Sequence, residues 1–367
     1  MMSSIAHAIW ESDGTLPRSA RLVLAPVERL FASIVARRNA DFDSRPFRKP
    51  VLPAISVGNL TVGGTGKTPV AAWCTSQLRA RGAKPCIVLR GYGDDEWRVH
   101  ALLNPDVPVI VSADRVAGIT TARTRGAYCA VLDDAFQHRQ APRVADIVLV
   151  SADRWREPVR MLPAGPFREP LSALRRASVV VVTVKSGSND QVDRVCVRVG
   201  EVAPGVPLAV IRLTPGKLKL AATIGFMLTA VGEGRPAPRR VDDPMLAHAP
   251  EWLAGRAVVA LSAIGDPASF LAQLRAFGAD IQHELRFADH HAFSTSDASR
   301  AARLAEGTSG VICTLKDAVK LQAVWPREAP PLWYVSQSVV VDRGAEALDR
   351  VFTRVLAART ATALTAG

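Results

Sequence analysis

The chain has 367 residues, 48% of them hydrophobic and 22% charged, which excludes a disordered, collagen-like or low-complexity protein and, at about 100–200 residues per domain, allows two domains. Lys and Arg number 46 against 34 Asp and Glu, a net charge of +12, so an anionic partner is expected: nucleic acid, a phosphorylated substrate or an acidic membrane face. The five cysteines (Cys74, Cys86, Cys129, Cys196, Cys313) are far apart, without zinc-ligand or redox spacing, and read as small buried hydrophobes of a reducing cytosol.

The N-terminus lacks the basic-then-apolar layout of a secretory signal, and no stretch reaches the roughly 18 uninterrupted apolar residues of a spanning helix. The bulk of the protein is therefore expected to stay cytosolic. Residues 17–38 place Val23, Val27, Leu30 and Ile34 at i, i+3/i+4 spacing, with Leu24, Phe31 and Val35 beside them. Arg18, Arg21, Arg29, Arg37 and Arg38 crowd the rest. This is a basic amphipathic helix, interrupted early by Pro26, that either packs on a domain or lies on anionic lipid.

From residue 51, short apolar runs alternate with helical stretches, the pattern of a mostly parallel sheet covered on both faces. Strands are predicted at 51–59, 85–91, 107–113, 127–134, 145–152 and 177–184. Residues 185–205 and 232–256 read as loops or boundaries from their polar, Gly- and Pro-rich composition. A second α/β unit follows, with strands at 257–265, 281–287, 311–315 and 332–341 and helices at 267–278, near 296–306, from Lys316 and over 345–359. The expected organisation is a P-loop α/β/α sandwich over 1–190, a smaller α/β domain over 191–325, and a strand and helix over 326–367 packing back on the first domain.

The sharpest local signal runs from Ile55 to Thr68, an apolar strand, a glycine run, then Gly66-Lys67-Thr68 opening a helix. Gly63, Gly64, Thr65 and Gly66 would turn backbone N–H groups around phosphate oxygens, and the helix N-terminus adds positive potential. Lys67 would reach the β/γ-phosphates and Thr68 would ligate Mg²⁺. The match is imperfect, because Thr61 stands where the pattern has its first glycine. Pro69 suits the first helical turn, where no donor is missed. A second acid must hold the metal at the end of a neighbouring strand, and Asp133-Asp134 supplies it; a divalent ion relieves the repulsion of adjacent carboxylates.

Taken together, these residues resemble the tetraacyldisaccharide 4′-kinases, which phosphorylate the lipid A disaccharide precursor on the inner membrane. The resemblance covers Val57-Gly-Asn-Leu-Thr61 with Gly63 to Pro69, Arg90-Gly-Tyr-Gly93, Asp133 to His138, Leu162 to Glu169, Asp289-His290 and Thr314 to Lys320. It implies two α/β/α domains with the active site in the cleft between them, ATP and Mg²⁺ as co-substrates, a glycolipid acceptor, and an N-terminal helix docking on the cytoplasmic face of the inner membrane. It also accounts for the basic balance, since substrate and bilayer are both anionic.

The resemblance carries Lys67 and Thr68 over as phosphate and Mg²⁺ contacts, Asp133 and Asp134 as metal-side acids, and Glu169 as a further carboxylate of the Mg²⁺ shell. The family's catalytic dyad maps to His290 and, less cleanly, to Asp95. Asp94 and a surface acidic turn are the alternatives, because Asp94 stands where the family usually has Gly. Ala135 and Leu315 also depart from the family pattern, and 214–250 looks like extra length. Arg90 is either a phosphate or substrate contact or part of an architectural turn; His138 positions the acids or caps a turn. His291 is structural or at the substrate rim, and Lys316 and Asp317 tie a helix start to the site or to the fold.

The expected reaction is in-line transfer of the ATP γ-phosphoryl group to the 4′-hydroxyl, with Asp95 accepting the proton while His290, from the other domain, orients it. Closure of the cleft would then assemble the pair. The rival reading is a P-loop GTPase or ATPase of the metallocofactor-maturation type, which would not need the Asp-His motif. Nucleic-acid binding is not expected, because 6% aromatics and no clustered stacking platform argue against it. A monomer is expected.

Overall fold

Unbroken Val/Ile/Leu runs need cover on both faces, and the chain provides it with parallel strands and returning helices. The computed structural model describes residues 9–10, 12, 14–46, 50–91, 95–225, 228 and 246–364. Asp94 and most of the extra length at 214–250 (226–227 and 229–245) lie outside the described residues. Two compact units are present: residues 1–90, 112–212 and 341–367 form the first, and 91–111 with 213–340 the second.

In chain order, α1 (Thr15–Asp43), β1 (Ala54–Asn59), α2 (Lys67–Ala80) and β2 (Pro85–Leu89) open the first unit. The chain then gives α3 (Asp95–Leu103) and β3 (Val109–Val111) to the second. It returns to the first for α4 (Arg115–Thr124), β4 (Cys129–Asp133), β5 (Ala145–Ser151), β6 (Val179–Val184) and α5 (Asn189–Val202). After β7 (Leu208–Leu220) come β8 (Ala247–His248), β9 (Ala257–Ser262), α6 (Pro267–Ala276) and β10 (Asp280–Arg286). The rest is α7 (Thr295–Leu304), β11 (Val311–Thr314), α8 (Leu315–Leu321), β12 (Leu332–Arg343) and α9 (Ala345–Leu364), the last in the first unit.

The first unit's strands lie in the order β2-β4-β1-β5-β6-β7, all parallel. β1 is central, so the loop at its C-terminal end is flanked by the ends of β4 and β5. In the second unit the order β10-β9-β11-β12 is also wholly parallel. In the first unit β1, β2, β4 and β6 are buried throughout and helices cover the sheet: α2 contributes Val70, Ala71, Cys74 and Leu78, and α5 contributes Val192, Val195 and Val199.

Elements α5, β7 and the two-residue β8, the last within the stretch 232–256 read as a loop, escape the sequence reading. The segment 185–205, read as a loop, contains α5: its Val192, Val195 and Val199 fall at helical spacing, and the Ser188 side chain caps it by accepting from Gln191 N. Strand β7 hides because Pro215 and Gly216 interrupt its pattern. The helix at the N-terminus is also longer than 17–38 and runs through Pro26 without ending. It separates its apolar residues into two faces. Val35, with Phe31 and Ala32, packs on the core beside Phe136 and Phe167, whereas Leu22, Val23, Val27, Leu30 and Ile34 are all more than half exposed, Val23 at 78%. No described helix is long and apolar enough to cross a membrane.

Residues 91–111 fold with the second unit because Val99 and Leu102 of α3 share a core with Ala318, Val319 and Leu321 of α8. The boundaries in the structure therefore fall at 90/91, 111/112, 212/213 and 340/341, where the sequence suggested 190/191 and 325/326.

Gly58 in β1 leaves no room for a side chain, since a Cβ there would meet Phe136 Cβ at 2.6 Å and its backbone N at 2.9 Å. Gly58→Ala is expected to destabilise the first unit by about 1–3 kcal/mol, read as a lower urea midpoint; an unchanged midpoint would contradict this packing.

Candidate active site

In the first unit the turn after β1 is built as the sequence implied. Gly63 and Gly66 adopt φ of +107° and +83°, conformations that glycine reaches without strain, and Gly66 is the residue from which α2 starts. One side chain organises the turn. The Asn59 amide donates to Thr65 Oγ1 at 2.9 Å and Thr61 Oγ1 at 3.2 Å, and its Oδ1 accepts from Lys67 Nζ at 3.4 Å and Arg168 Nη2 at 2.5 Å. Thr183 Oγ1 on β6, two strands from β1, donates to Thr65 O at 3.0 Å and braces the same loop.

The acids stand one strand away. Parallel register sets Asp133 beside Val57, and Asp134 N donates back to Val57 O at 2.9 Å while adopting φ +49°. The Asp134 carboxylate accepts from Arg168 Nη2 at 3.0 Å and lies 3.8 Å from Lys67 Nζ. Burial works to raise its pKa, but the Lys67 and Arg168 charges outweigh that and hold it below the ordinary 3.8. Glu169, 1% exposed, accepts at Oε2 from Asn39 Nδ2 and from Arg176 Nη2, both at 2.8 Å, and its buried Oε1 makes no hydrogen bond.

Thr68, Asp133 and Asp134 offer oxygen donors only, the chemistry that suits Mg²⁺. Among the described residues no three His, Cys, Asp or Glu side chains group closely enough to hold a metal ion by themselves. The set therefore fits an ion whose remaining ligands are phosphate oxygens and water, the usual situation for Mg²⁺.

The second unit carries its own cluster. Asp95 opens α3 and is 4% exposed. Its Oδ2 lies 4.0 Å from His290 Nδ1, 4.0 Å from Lys316 Nζ and 3.9 Å from Lys320 Nζ. His290 has φ +62°, a conformation uncommon outside glycine. Asp95 and His290 thus belong to one unit, which corrects the expectation that the pair straddles two. The reason is the placement of α3 in the second core described above.

Lys316 and Lys320 sit four residues apart on α8 and so share a face. Asp317, fully buried, fixes the start of that helix: Thr314 Oγ1 donates to its Oδ2 at 2.7 Å and Ala263 N donates to its Oδ1 at 3.2 Å. Burial pushes the Asp317 carboxyl up, opposed by the Thr314 hydrogen bond and the Lys320 charge. Burial likewise lowers Lys320, opposed by Asp317 and Asp95.

The sequence profile of the family described as tetraacyldisaccharide-1-P 4′-kinase matches residues 20–357. This chain belongs to that family. The tetraacyldisaccharide 4′-kinase of Halorhodospira halophila is 33% identical over 94% of this chain and 96% of its own length. That of Anaeromyxobacter sp. strain Fw109-5 is 34% identical over 96% and 97%. Among solved structures, LpxK from Aquifex aeolicus, crystallised as an "apo" form in complex with ATP, matches with TM-score 0.66 at 26% identity, covering 92% of this chain and 99% of that one. The family is one of kinases, with a glycolipid acceptor.

Within the family frame, the structure groups Lys67, Asp134 and Asn59 in one unit and Asp95, His290 and Lys316 in the other. Asn59 and Arg168 lie inside quoted motifs, yet their contacts were not foreseen; the buried Asn at a strand end and the Arg beside Glu169 were the available signals. His138 caps a turn, its N donating to Ala135 O, and burial together with Arg115 and Arg143 lowers it below the usual 6.5. His291 is structural: its ring stacks on Phe287 at 4.6 Å and its Nε2 pairs with Asp297 Oδ2 at 3.2 Å.

Because the folded pKa of Asp134 is depressed, its stabilising contribution is intact above about 3.8 and lost as pH falls through the lower folded value. The stability gap between the wild type and Asp134→Asn in urea unfolding is expected to shrink across that acid window, and Arg168→Leu to shift the Asp134 carboxyl titration upward by NMR. A pH-independent gap would contradict the electrostatic account.

Proposed function

We propose that the chain transfers the γ-phosphoryl group of ATP to the 4′-hydroxyl of the tetraacyldisaccharide 1-phosphate precursor of lipid A, giving lipid IVA, at the cytoplasmic face of the inner membrane. What carries the reading is the family match over residues 20–357 together with a glycine-turned phosphate loop and an Asp95–His290 pair 4.0 Å apart.

Gly63, Gly64, Thr65 and Gly66 would present backbone N–H groups to the nucleotide phosphates, with Lys67 Nζ neutralising their charge. Thr68, Asp133 and Asp134 would hold Mg²⁺, with Glu169 acting from the outer shell. Held there, the ion would supply positive charge to offset the charge that develops on the transferred phosphoryl group. Asp95 would accept the hydroxyl proton as the new O–P bond forms and the bond from the γ-phosphorus to the departing ADP oxygen breaks, while His290 orients the carboxylate and the hydroxyl. Phosphoryl transfer is mainly positioning and charge neutralisation, and a positioned base contributes about 10²–10⁴-fold.

A P-loop GTPase or ATPase of the metallocofactor-maturation type would use the same turn but leaves Asp95, His290 and Lys316 without a task. The exposed apolar stripe of α1, flanked by the exposed Arg29 and Arg37, suits an anionic bilayer, where the apolar face enters the headgroup boundary and the arginines meet phosphate.

In ³²P transfer assays on the disaccharide monophosphate, Lys67→Ala, Asp95→Ala and His290→Ala are each expected to lose at least about 100-fold in kcat while remaining folded by circular dichroism. A wild-type rate in Asp95→Ala would overturn that assignment.

Replacing Val23, Val27, Leu30 and Ile34 together by Gln should release the protein from phosphatidylglycerol vesicles in co-sedimentation, since these residues face away from the core. Undiminished binding would refute the anchor. The quadruple variant is preferable to deleting residues 1–40, because Asn39 also holds Glu169.

A further inference from the structure

The cluster around Asp95 contains a cation that the proton-transfer pair alone does not require. Lys316 Nζ lies 3.1 Å from His290 Nε2 and 3.4 Å from Asp289 Oδ1. An ammonium has donors only, so at this distance it donates to Nε2, and Nε2 must be the unprotonated ring nitrogen. The single ring proton then sits on Nδ1, the nitrogen that faces Asp95 Oδ2 at 4.0 Å.

We propose that Lys316 is a positioning residue that fixes His290 in its neutral Nδ1–H tautomer, so that the imidazole donates toward Asp95 and leaves the carboxylate free of protons to receive one. This inference rests on the kinase reading for its consequence in catalysis, but not for the tautomer itself.

The surroundings make Lys316 suited to the task. Asp289 holds the neighbouring groups on its Oδ1, accepting from His290 N at 3.0 Å and from Lys316, so the lysine and the left-handed His290 backbone are tied to one carboxylate. Lys316 itself projects from the first turn of α8, whose start is locked by buried Asp317. The charged groups facing the imidazole are Asp95, Asp289 and Lys316. Lys320 faces Asp95 from the next turn of α8 and donates to His291 O at 3.0 Å, and His291 is occupied by Asp297.

The test uses the full chain labelled with ¹⁵N-histidine, the His290 ring assigned by its loss in His290→Gln. Long-range ¹H–¹⁵N spectra without substrate should show a protonated Nδ1 and an unprotonated Nε2 in the wild type. In Lys316→Met the Nε2–H form should appear, and Lys316→Arg should restore the wild-type pattern. In transfer assays Lys316→Met should lose about 10- to 100-fold in kcat with KM for ATP within twofold. An unchanged tautomer in Lys316→Met would overturn the proposal, as would a loss seen mainly as raised KM for ATP, which would make Lys316 a phosphate contact. If the wild type shows the Nδ1–H tautomer but transfers no phosphate to the disaccharide, the kinase reading fails while the tautomer assignment stands.

Discussion

The turn between β1 and α2 is held by the Asn59 side chain, and the proposed phosphate grip depends on it. A loop rich in glycine has little to pack and much backbone entropy to lose, so it needs external ties. Asn59 supplies them from a fully buried strand end, with its amide to two loop hydroxyls and its carbonyl oxygen to Lys67 and Arg168. The ordering is therefore achieved by a side chain that ties the loop from its strand end, while nothing lies within 4 Å of where a Cβ would stand at Gly64.

The same electrostatic device recurs in each unit. Asp134 is flanked by Lys67 and Arg168 and is held ionised despite burial. Asp95, nearly inaccessible, sits at about 4 Å from two lysines and an imidazole. Burial alone works to raise a carboxyl, and at Asp134 the two cations outweigh it. Both clusters sit where helix starts or strand ends hold the backbone: Asp134 after β4, Asp95 at the head of α3, and Lys316 at the head of α8.

The sheet of each unit was legible because buried parallel strands write themselves as unbroken Val, Ile and Leu runs, and the phosphate turn because glycines, lysine and threonine follow a strand in order. What was hidden was tertiary. α5 carries a polar surface that masks a stripe of three valines, and Pro215 with Gly216 masks β7. The grouping of α3 with the second unit depends on which core Val99 and Leu102 enter, and nothing in the order of motifs reveals that. Arg168 escaped notice for a related reason: its carboxylate partner Asp134 is 34 residues away.

Helix α1 shows how one element can serve two demands that its sequence blurs. Leu24, Glu28, Phe31 and Val35 follow each other at three- and four-residue steps, and of these Phe31 and Val35 reach the core while Glu28 accepts from Met161 N at 2.6 Å. One position away on the helical wheel, Val23, Val27, Leu30 and Ile34 form a second stripe that no core residue covers. Burial of the first stripe fixes the rotation of the helix, and that rotation forces the second outward. Further along, Asn39 reaches Glu169 and Arg38 reaches Gln137 O, so the helix that displays the apolar stripe also supports the segment bearing the acids. The stripe proposed to meet lipid and the support of the acid-bearing segment are thereby carried by one helix.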